Sequence, residues 1–341
     1  MKAIRLSNPG GLDQLELTEM EAPSKPRAGE ILVRLHASSL NFHDYLVAIG
    51  KIKTEDGRIP LSDGAGVIEA VGDAVSDFAM GDHVVSCFFP NWQDGGPISS
   101  GFSTTPGDGI DGYAREKVLA PANWFTLAPK GYSHCEAATL TTAGLTAWRA
   151  LVTDGNLKAG DSVLTLGSGG VSIFALQFAK AMGATVIATS KSDEKLERLK
   201  ALGADHVVNY KQHENWGEVV RKMTGGRGVD HVIEVGGPGT LQQSITACRI
   251  GGHIALIGVL TGIAGTVPTA TLMGRHQKLQ GLVVGSRQQQ VEMVGAMEAS
   301  KLKPVIDRVY PLPELAAAFQ REEQGVHVGK ICIEIAVPRV P

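Results

Sequence analysis

The sequence is short of cysteine, aromatic residues and net charge, and each shortage excludes a class of protein. Of its 341 residues only 4 are Cys and 5% are aromatic, and the formal net charge is -3. Nucleic-acid-binding domains are usually basic, so this charge argues against a nucleic-acid partner. The cysteines, at 87, 135, 248 and 332, are too widely spaced for a metal-binding pair, a redox pair or a dense disulfide framework. We interpret them as small buried hydrophobic residues.

Long apolar runs are also missing from the sequence. No stretch reaches the roughly 18 apolar residues that a membrane-spanning helix needs. The start, Met1–Arg5, is not followed by the apolar core of a secretion signal. We therefore expect a soluble, cytoplasmic protein with no membrane partner. The length favours two domains, because single cores stop growing at about 250–300 residues.

Glycine, by contrast, is abundant, with 42 residues, well above the usual share of roughly 7%. Before residue 126 the glycines separate short apolar runs at 31–35, 66–71 and 82–85. This pattern predicts an all-β region with many turns. The stretch 91–111 is rich in Gly, Ser, Thr and Pro and predicts a long loop, and loops of that length are usually mobile or functional.

Beyond residue 130 the pattern changes to a regular alternation of short apolar runs and amphipathic segments. Strands are predicted at 162–167, 185–189, 206–209, 229–235, 253–258 and 278–284. Helices are predicted at 133–152, 170–182, 193–202, 214–223 and 239–248. This order is typical of an α/β fold with a doubly wound parallel sheet. We place a β-rich domain at 1–127 and 286–341, and the inserted α/β domain at 128–285.

The strongest chemical signal is a glycine cluster between the strand at 162–167 and the helix that follows it. The cluster consists of Gly167, Ser168, Gly169, Gly170 and Val171. Glycine permits the tight turn and the close approach of a pyrophosphate, and the free N–H groups at the helix start bind its charge. A serine at 172 stands where the usual GxGxxG pattern has its third glycine. The strand and helix context nevertheless predicts a dinucleotide-binding loop.

The next strand indicates which dinucleotide is bound. An NAD site carries an Asp or Glu at the end of this strand, for the ribose 2′-hydroxyl, but here the strand ends in Ser190 and Lys191. A hydroxyl and a cation suit the 2′-phosphate of NADP. Lys195 and Arg198 would add positive charge, and Tyr210 would close the adenine end. The alternative for Lys191 and Lys195 is ordinary solvated charge on a helix.

Further motifs are spread along nearly the whole chain. They are Met1–Ile4, Ser39–Asp44, Asp63–Gly72, Gly81–Val84, Asp111–Ala114, Thr142–Trp148 and Gly285–Arg287. Together with the glycine cluster they resemble the medium-chain dehydrogenase/reductase superfamily, specifically its zinc-free, quinone-oxidoreductase-like or zinc-type alcohol dehydrogenase-like members. The resemblance implies a GroES-like, partly open β-barrel domain with an inserted Rossmann domain. It also implies a cleft between them where nicotinamide meets substrate.

Zinc-dependent members of this superfamily use a Cys, a His-Glu pair and a further Cys or acid as ligands. The matching positions here hold Asn41, Ser62 with Asp63, and Thr141 or Thr142. Of these residues only Asp63 is a good zinc ligand, and the four-Cys structural lobe has no counterpart. We therefore expect a protein without metal.

Candidate site residues follow from the residue pattern and from the resemblance. Asn41 is expected near the nicotinamide, because its amide donates and accepts in one place, with a turn-stabilising role as the alternative. His43 and Tyr45 are expected as proton donors or substrate-pocket walls, and His43 is otherwise a structural histidine. Asp44 is expected to tie loops together, and Asp63 to accept backbone N–H groups around Gly64. The expected cofactor contacts are Asn41, Thr142, Gly167, Ser168, Gly169, Gly170, Val171, Ser190, Lys191, Lys195, Tyr210, Gly258, Val259, Leu282, Val284 and Lys330. For Lys330 the alternative is a surface lysine.

The missing metal ligands favour one kind of reaction. Oxidation of a simple alcohol needs a group that stabilises the alkoxide, and zinc does this in the metal enzymes. A quinone or an α,β-unsaturated carbonyl accepts hydride to leave a delocalised oxyanion, for which a hydrogen-bond donor suffices. We expect an oxidoreductase that transfers hydride from NADPH to such a small molecule. The alternatives are an alcohol or aldehyde dehydrogenase-reductase of the same fold and a non-enzymatic NADPH-binding protein.

A homodimer is expected, through edge pairing of the strand at 279–284.

Overall fold

The computed structural model describes residues 1–98 and 102–335. The chain forms two compact units. The first unit joins Met1–Leu145 to the chain from Val284 onward, and the second unit is Thr146–Val283. Within the described residues, no helix has both the length and the apolar composition needed to cross a membrane.

The elements are short and follow one another closely. The strands are β1 (Lys2–Leu6), β2 (Leu15–Glu19), β3 (Glu30–Ser39), β4 (Ala65–Val71), β5 (His83–Ser86), β6 (Lys117–Pro121), β7 (Phe125–Leu127), β8 (Ser162–Leu166), β9 (Thr185–Ser190), β10 (His206–Asn209), β11 (Val229–Glu234), β12 (Cys248–Leu256), β13 (Lys278–Gly281), β14 (Ile306–Pro311) and β15 (Lys330–Glu334). The helices are α1 (Phe42–Ala48), α2 (His134–Ala138), α3 (Leu145–Trp148), α4 (Gly170–Ala181), α5 (Asp193–Ala201), α6 (Trp216–Met223), α7 (Pro238–Ala247), α8 (Thr269–Gly274), α9 (Arg287–Ser300) and α10 (Leu315–Gln324).

The second unit is the doubly wound sheet that the alternating pattern predicts. Its strands are parallel and lie in the order β10-β9-β8-β11-β12-β13. Every residue of β8 and β11 is buried, as expected for parallel strands covered on both faces. The strand order reverses between β8 and β11, and sheets of this kind bind ligands at the carboxyl ends of the strands beside such a reversal. The predicted α/β fold class is confirmed.

Two strands of this sheet differ from their predicted bounds. β12 begins at Cys248 rather than 253, and its pairing with β11 shifts register between Val229 and His231. The glycines at 251 and 252, which suggest a turn in the sequence, lie inside this irregular strand. β13 ends at Gly281, before the predicted end at 284, and Val284 itself has a positive φ of 45° that a strand does not accept.

The first unit is built around β3. This strand pairs antiparallel with β4, β6 and β15 in a sheet whose order is β14-β15-β3-β4-β5-β7. Alternate residues Ile31, Val33 and Leu35 are fully buried, as in a strand with one face on a core. β1 and β2 form a separate antiparallel pair. The β-rich domain expected from the short apolar runs is therefore present.

Along the chain, one unit gives way to the other between residues 145 and 146 and between residues 283 and 284. The sequence pattern predicts these boundaries at 127/128 and 285/286. α2 accounts for the first difference, because Ala137 and Ala138 pack against Ala37 of β3 and Ala65 of β4. The continuous helix predicted at 133–152 is divided into α2, α3 and two π-helical segments, at 140–144 and 149–153.

The predicted long loop spans residues 91–111. Its described parts, 91–98 and 102–111, contain neither helix nor ladder strand and include one isolated bridge between Pro106 and Ile110. Residues 99–101 of this loop, and residues 336–341 of the predicted β-rich domain, lie outside the described residues.

All four cysteines are free thiols. Cys87, Cys248 and Cys332 are buried, and Cys135 is half-buried. Burial raises the pKa of the Cys87 and Cys248 thiols to about 12, so both are protonated at neutral pH. Three of the four cysteines therefore match the expectation of small buried hydrophobic residues.

Candidate functional site

A buried polar network lies in the first unit, at the start of α1. Asn41 is the N-cap residue, and both its backbone N–H (3.1 Å) and its side-chain Nδ2 (3.0 Å) donate to Asp44 Oδ2. Asp44 Oδ1 accepts the backbone N–H of Ser62 at 2.9 Å. Asp44 is 1% exposed and ties the start of α1 to the segment before β4, which confirms its expected role.

Asp63 is the second carboxylate of this network and is fully buried. Its Oδ2 accepts from Ser39 Oγ (2.5 Å) and Asn41 Nδ2 (2.9 Å). Its Oδ1 accepts from Thr142 Oγ1 (2.6 Å). The prediction that Asp63 accepts backbone N–H groups around Gly64 is wrong, because that N–H donates to a serine of β5.

Lys330, the first residue of β15, supplies the cation of the network. It is 4% exposed, so the alternative of a surface lysine is wrong. Its Nζ donates to Asn41 Oδ1 (2.6 Å) and to the Leu40 carbonyl, and lies 3.6 Å from Asp63 Oδ2. Burial raises the pKa of Asp63, and the charge of Lys330 opposes that effect. The amide of Asn41 is thereby fixed at both ends, between two carboxylates and one ammonium group.

His43 and Tyr45 lie on the same helix but have different surroundings. His43 Nε2 is 3.2 Å from Asp108 Oδ2, and the ring stacks on Phe102 with centroids 5.5 Å apart. Burial lowers the pKa of His43, but hydrogen bonds with Asp108 and Asp44 outweigh it and raise the pKa to about 9. The hydroxyl of Tyr45 donates to Glu323 at 2.5 Å. Among the described residues, the side chain of Tyr45 makes no hydrogen bond with the Asn41 network, although its backbone N–H donates to the Asn41 carbonyl at 3.1 Å.

The glycine cluster of the second unit forms the turn between β8 and α4. Gly167 has a φ of 76°, which favours glycine. A Cβ placed on Gly167 or Gly169 would meet no atom within 4 Å, so open space lies beside the turn. Ser172 Oγ donates to the Leu166 carbonyl at 2.6 Å and so links the first turn of α4 to the end of β8. Open space, glycine backbone and the first turn of a helix together fit a dinucleotide pyrophosphate.

The residues expected around the adenosine ribose also come together in this unit. Ser190 ends β9, is 2% exposed, and its carbonyl accepts the N–H of Tyr210 at 3.2 Å. Lys191 follows as an exposed residue, and Lys195 is half-buried in the first turn of α5. The acid nearest the strand end, Asp193, accepts from Asn209 Nδ2 at 2.7 Å and is thus already engaged.

The other expected cofactor contacts are more scattered. Leu282 and Val284 are buried, and Val259 is 41% exposed. Gly258 has a structural reason to be glycine, because a Cβ there would lie 2.0 Å from the Val235 carbonyl oxygen. A cofactor role for these residues stays a prediction, as do the site roles of Asn41, His43, Tyr45, Thr142 and Lys330.

Sequence reasoning missed two acids that shape these regions. Glu234 ends β11, is fully buried, and accepts the N–H groups of Gly236 (2.7 Å) and Gly237 (2.9 Å). The sequence signal for Glu234 was an acid near the carboxyl end of the predicted strand at 229–235, directly after the apolar pair Val232 and Ile233. Asp108, the partner of His43, gave no signal, since it is one of several polar residues in a predicted loop.

The residues at the positions matching zinc ligands do not fit a zinc ion. They offer an amide, hydroxyls and one carboxylate, whereas catalytic zinc takes about three His, Cys, Asp or Glu ligands. Across residues 1–98 and 102–335, no cluster of three or more His, Cys, Asp or Glu side chains could hold a metal ion. Asp63 is the remaining carboxylate, and both its oxygens already accept hydrogen bonds.

Comparisons with known proteins agree with this architecture. The chain matches the alcohol dehydrogenase GroES-like domain at residues 27–130 and the zinc-binding dehydrogenase family at residues 170–299. A zinc-type alcohol dehydrogenase-like protein of Schizosaccharomyces pombe is 42% identical over 334 residues, covering 95% of this chain and 96% of that protein. An alcohol dehydrogenase of Geobacillus stearothermophilus is 32% identical over 330 residues, covering 94% and 96%. A crystal structure of an NAD-dependent alcohol dehydrogenase is 34% identical with a TM-score of 0.89, covering 98% and 100%.

The fold and these matches define the class. The chain belongs to the medium-chain dehydrogenase/reductase superfamily, which confirms the resemblance seen in its motifs. Within that superfamily its relatives include a zinc-type alcohol dehydrogenase-like protein and an alcohol dehydrogenase, which belong to an oxidoreductase family.

Proposed function

We propose that the protein is an NADPH-dependent reductase that acts without zinc on a quinone or an α,β-unsaturated carbonyl. One observation carries the proposal. Asn41, Asp63 and Thr142, at positions matching zinc ligands, are hydrogen-bonded to one another, and the ammonium of Lys330 completes the network. A cation is thus already present beside the buried carboxylate, supplied by the chain itself.

The substrate class follows from the chemistry that such a site can support. Reduction of a quinone or an enone adds one hydride and one proton, and the charge that develops on oxygen is delocalised. A positioned hydrogen-bond donor stabilises that charge. When bound, NADPH supplies the hydride. The protein's part is to hold the reactants and to provide the proton, directly or through water.

His43 is the proton donor that the geometry favours. Asp108 fixes its ring at 3.2 Å, and the pKa near 9 keeps the imidazole protonated at neutral pH. Asn41 acts differently, since both N–H groups of its amide donate to carboxylates. We assign Asn41 a positioning role, in which it orients Asp63 and, through Asp63, the hydroxyl of Thr142.

The second unit supplies the argument for NADP. The turn at Gly167 and Gly169 would receive the pyrophosphate, and Ser190 with Lys191 would receive the 2′-phosphate. An acid that could bind a free 2′-hydroxyl is absent from the end of β9, whose last residue is Ser190. The 34% identical crystal structure is of an NAD-dependent enzyme, so cofactor preference is a necessary part of the test.

The decisive experiment combines metal analysis with steady-state kinetics on the purified full chain. We expect substoichiometric zinc, NADPH oxidation with quinones or enones, and rates that do not change after dialysis against a chelator. Stoichiometric zinc whose removal abolishes activity would contradict the proposal.

An alcohol or aldehyde dehydrogenase-reductase is the second candidate, and the names of the relatives favour it. It predicts NADP-dependent oxidation of alcohols at rates exceeding those of quinone reduction. Binding of NADPH without turnover of any acceptor would instead favour the non-enzymatic alternative.

We also propose a homodimer formed through β13, which is the last strand in the order of the described parallel sheet. Light scattering would report the molar mass of the protein in solution, and so whether it is a dimer.

A further inference from the structure

A cavity of about 350 Å³ lies in the second unit, and four arginines line it. Arg221 belongs to α6, Arg227 precedes β11, Arg249 lies near the start of β12, and Arg275 precedes β13. The last three therefore stand at the amino-terminal ends of parallel strands. Dinucleotides bind at the carboxyl ends of such strands, where the glycine turn after β8 is found. The cavity is thus distinct from the proposed cofactor site.

The charge of this cavity is unbalanced. Arg227 donates from both terminal nitrogens to Asp230 (2.9 and 2.6 Å), and Arg249 Nε donates to the same carboxylate (2.5 Å). Although burial acts in the opposite direction, these bonds hold the pKa of Asp230 well below its usual range. Within the described part of the chain, Arg221 and Arg275 have no carboxylate partner. Of the four guanidinium groups, two therefore share the carboxylate of Asp230 and two have no carboxylate partner among the described residues.

The two arginines without a carboxylate are held in place by the backbone. Arg275 Nη1 donates to the carbonyls of Ile245 and Thr246 at the end of α7 and of Cys248 at the start of β12, at 2.8 to 3.3 Å. Arg221 Nε donates to the Gly226 carbonyl at 2.9 Å. The other N–H groups of both side chains make no hydrogen bond to any described residue. A guanidinium that is already fixed loses little conformational freedom when it binds a ligand.

We propose that this cavity binds a small phosphorylated anion, through its phosphoryl groups. Guanidinium forks match phosphate oxygens with pairs of charge-assisted hydrogen bonds. Several positive groups around one cavity favour a ligand with more than one negative charge. Inorganic pyrophosphate and a sugar bisphosphate share this chemistry, and either binds independently of the reductase activity proposed above.

Calorimetric titration of the full chain with inorganic pyrophosphate tests the site directly. We expect one saturable binding event, weakened about tenfold or more by either Arg221→Gln or Arg227→Gln, because each removes charge-assisted hydrogen bonds. Arg249 is left intact, so Asp230 keeps a partner in both variants. A parallel titration with fructose 1,6-bisphosphate distinguishes an organic phosphate from the inorganic ion, and saturable binding of either that the two arginine variants weaken supports the site.

Two control variants separate the cavity from other sources of affinity. Lys222→Gln removes the same charge from the neighbouring position of α6, which does not line the cavity, and should leave binding unchanged. Gly169→Asp places an acid in the glycine turn, at an N-cap position that accepts Asp, and should also leave it unchanged. The proposal is overturned if neither probe binds or if Lys222→Gln weakens binding as much as Arg221→Gln. It is also overturned if Gly169→Asp weakens binding while the two arginine variants do not. Circular dichroism of each variant checks that it is folded.

Discussion

Replacing Lys330 with Met tests whether the ammonium group holds the network of the first unit together. Lys330 Nζ lies 3.6 Å from Asp63 Oδ2, and Asp63 is fully buried. At that separation the attraction is worth about 4–5 kcal/mol for an effective dielectric constant near 20. The hydrogen bonds from Ser39, Asn41 and Thr142 stabilise part of the carboxylate's charge without Lys330. We therefore expect Lys330→Met to lower the free energy of unfolding by about 3 kcal/mol, within the range for breaking a buried pair.

The loss in this variant should depend on pH in a defined direction. Burial raises the pKa of Asp63, and Lys330 opposes that rise, so the variant's carboxyl group should take up a proton more readily in the folded state. A group with a raised folded pKa stabilises the protein at low pH and loses that contribution as pH rises through the folded value. The deficit of Lys330→Met relative to the wild type should therefore be smaller at pH 5 than at pH 8.

Urea denaturation followed by circular dichroism at both pH values measures these differences. Asp63→Asn and the double variant complete a double-mutant cycle, which isolates the interaction between the two side chains. A loss below about 1 kcal/mol, an equal loss at both pH values, or strictly additive single variants would show that Lys330 does not stabilise Asp63.

Three further predictions concern the cofactor, the proton and a histidine cluster. Ser190→Asp with Lys191→Asp should lower the preference for NADPH over NADH about a hundredfold in kcat/KM, by repelling the 2′-phosphate; an unchanged ratio would refute the NADP assignment. His43→Asn should remove a fall in kcat that the wild type shows as pH rises through about 9, and a fall that persists would exclude His43 as the donor. His134 stacks between His36 and His83, and burial with these charges lowers its pKa to about 4. In the unfolded chain His134 takes up its proton at the higher, ordinary pKa. As the pH falls from 6.5 to 4, the free energy of unfolding should therefore decline by about 1–2 kcal/mol. The decline should be smaller in His134→Gln when the wild type and the variant are thermally unfolded across that pH range.

The α/β unit was predictable because its signals are local. Apolar runs alternate with amphipathic helices, and the glycine turn falls between β8 and α4 as expected. The misplaced bounds have local causes too: the glycines at 251 and 252 interrupt the apolar pattern of β12, and Val284 takes a conformation that its residue type does not suggest.

The site was less predictable because its contacts are distant in sequence. Asn41, Asp63 and Lys330 were singled out separately, but their meeting depends on β15 pairing with β3, which no periodicity reveals. His43 was named, yet its partner Asp108 lies in a loop without a pattern. Residue types therefore indicated the candidates, and only the tertiary structure showed that the amide of Asn41 is fully occupied.

The pairing of β15 with β3 also sets an order of events during synthesis. The second unit is one continuous segment, Thr146–Val283, and domains generally fold as units while the chain emerges. β3 emerges before that segment and β15 after it, so the pairing between these two strands must wait until the segment and β15 have both been made. The ammonium of Lys330 arrives with β15, and until then Asp63 has no buried cation beside it. We expect the polar network to form last, after the second unit has already folded.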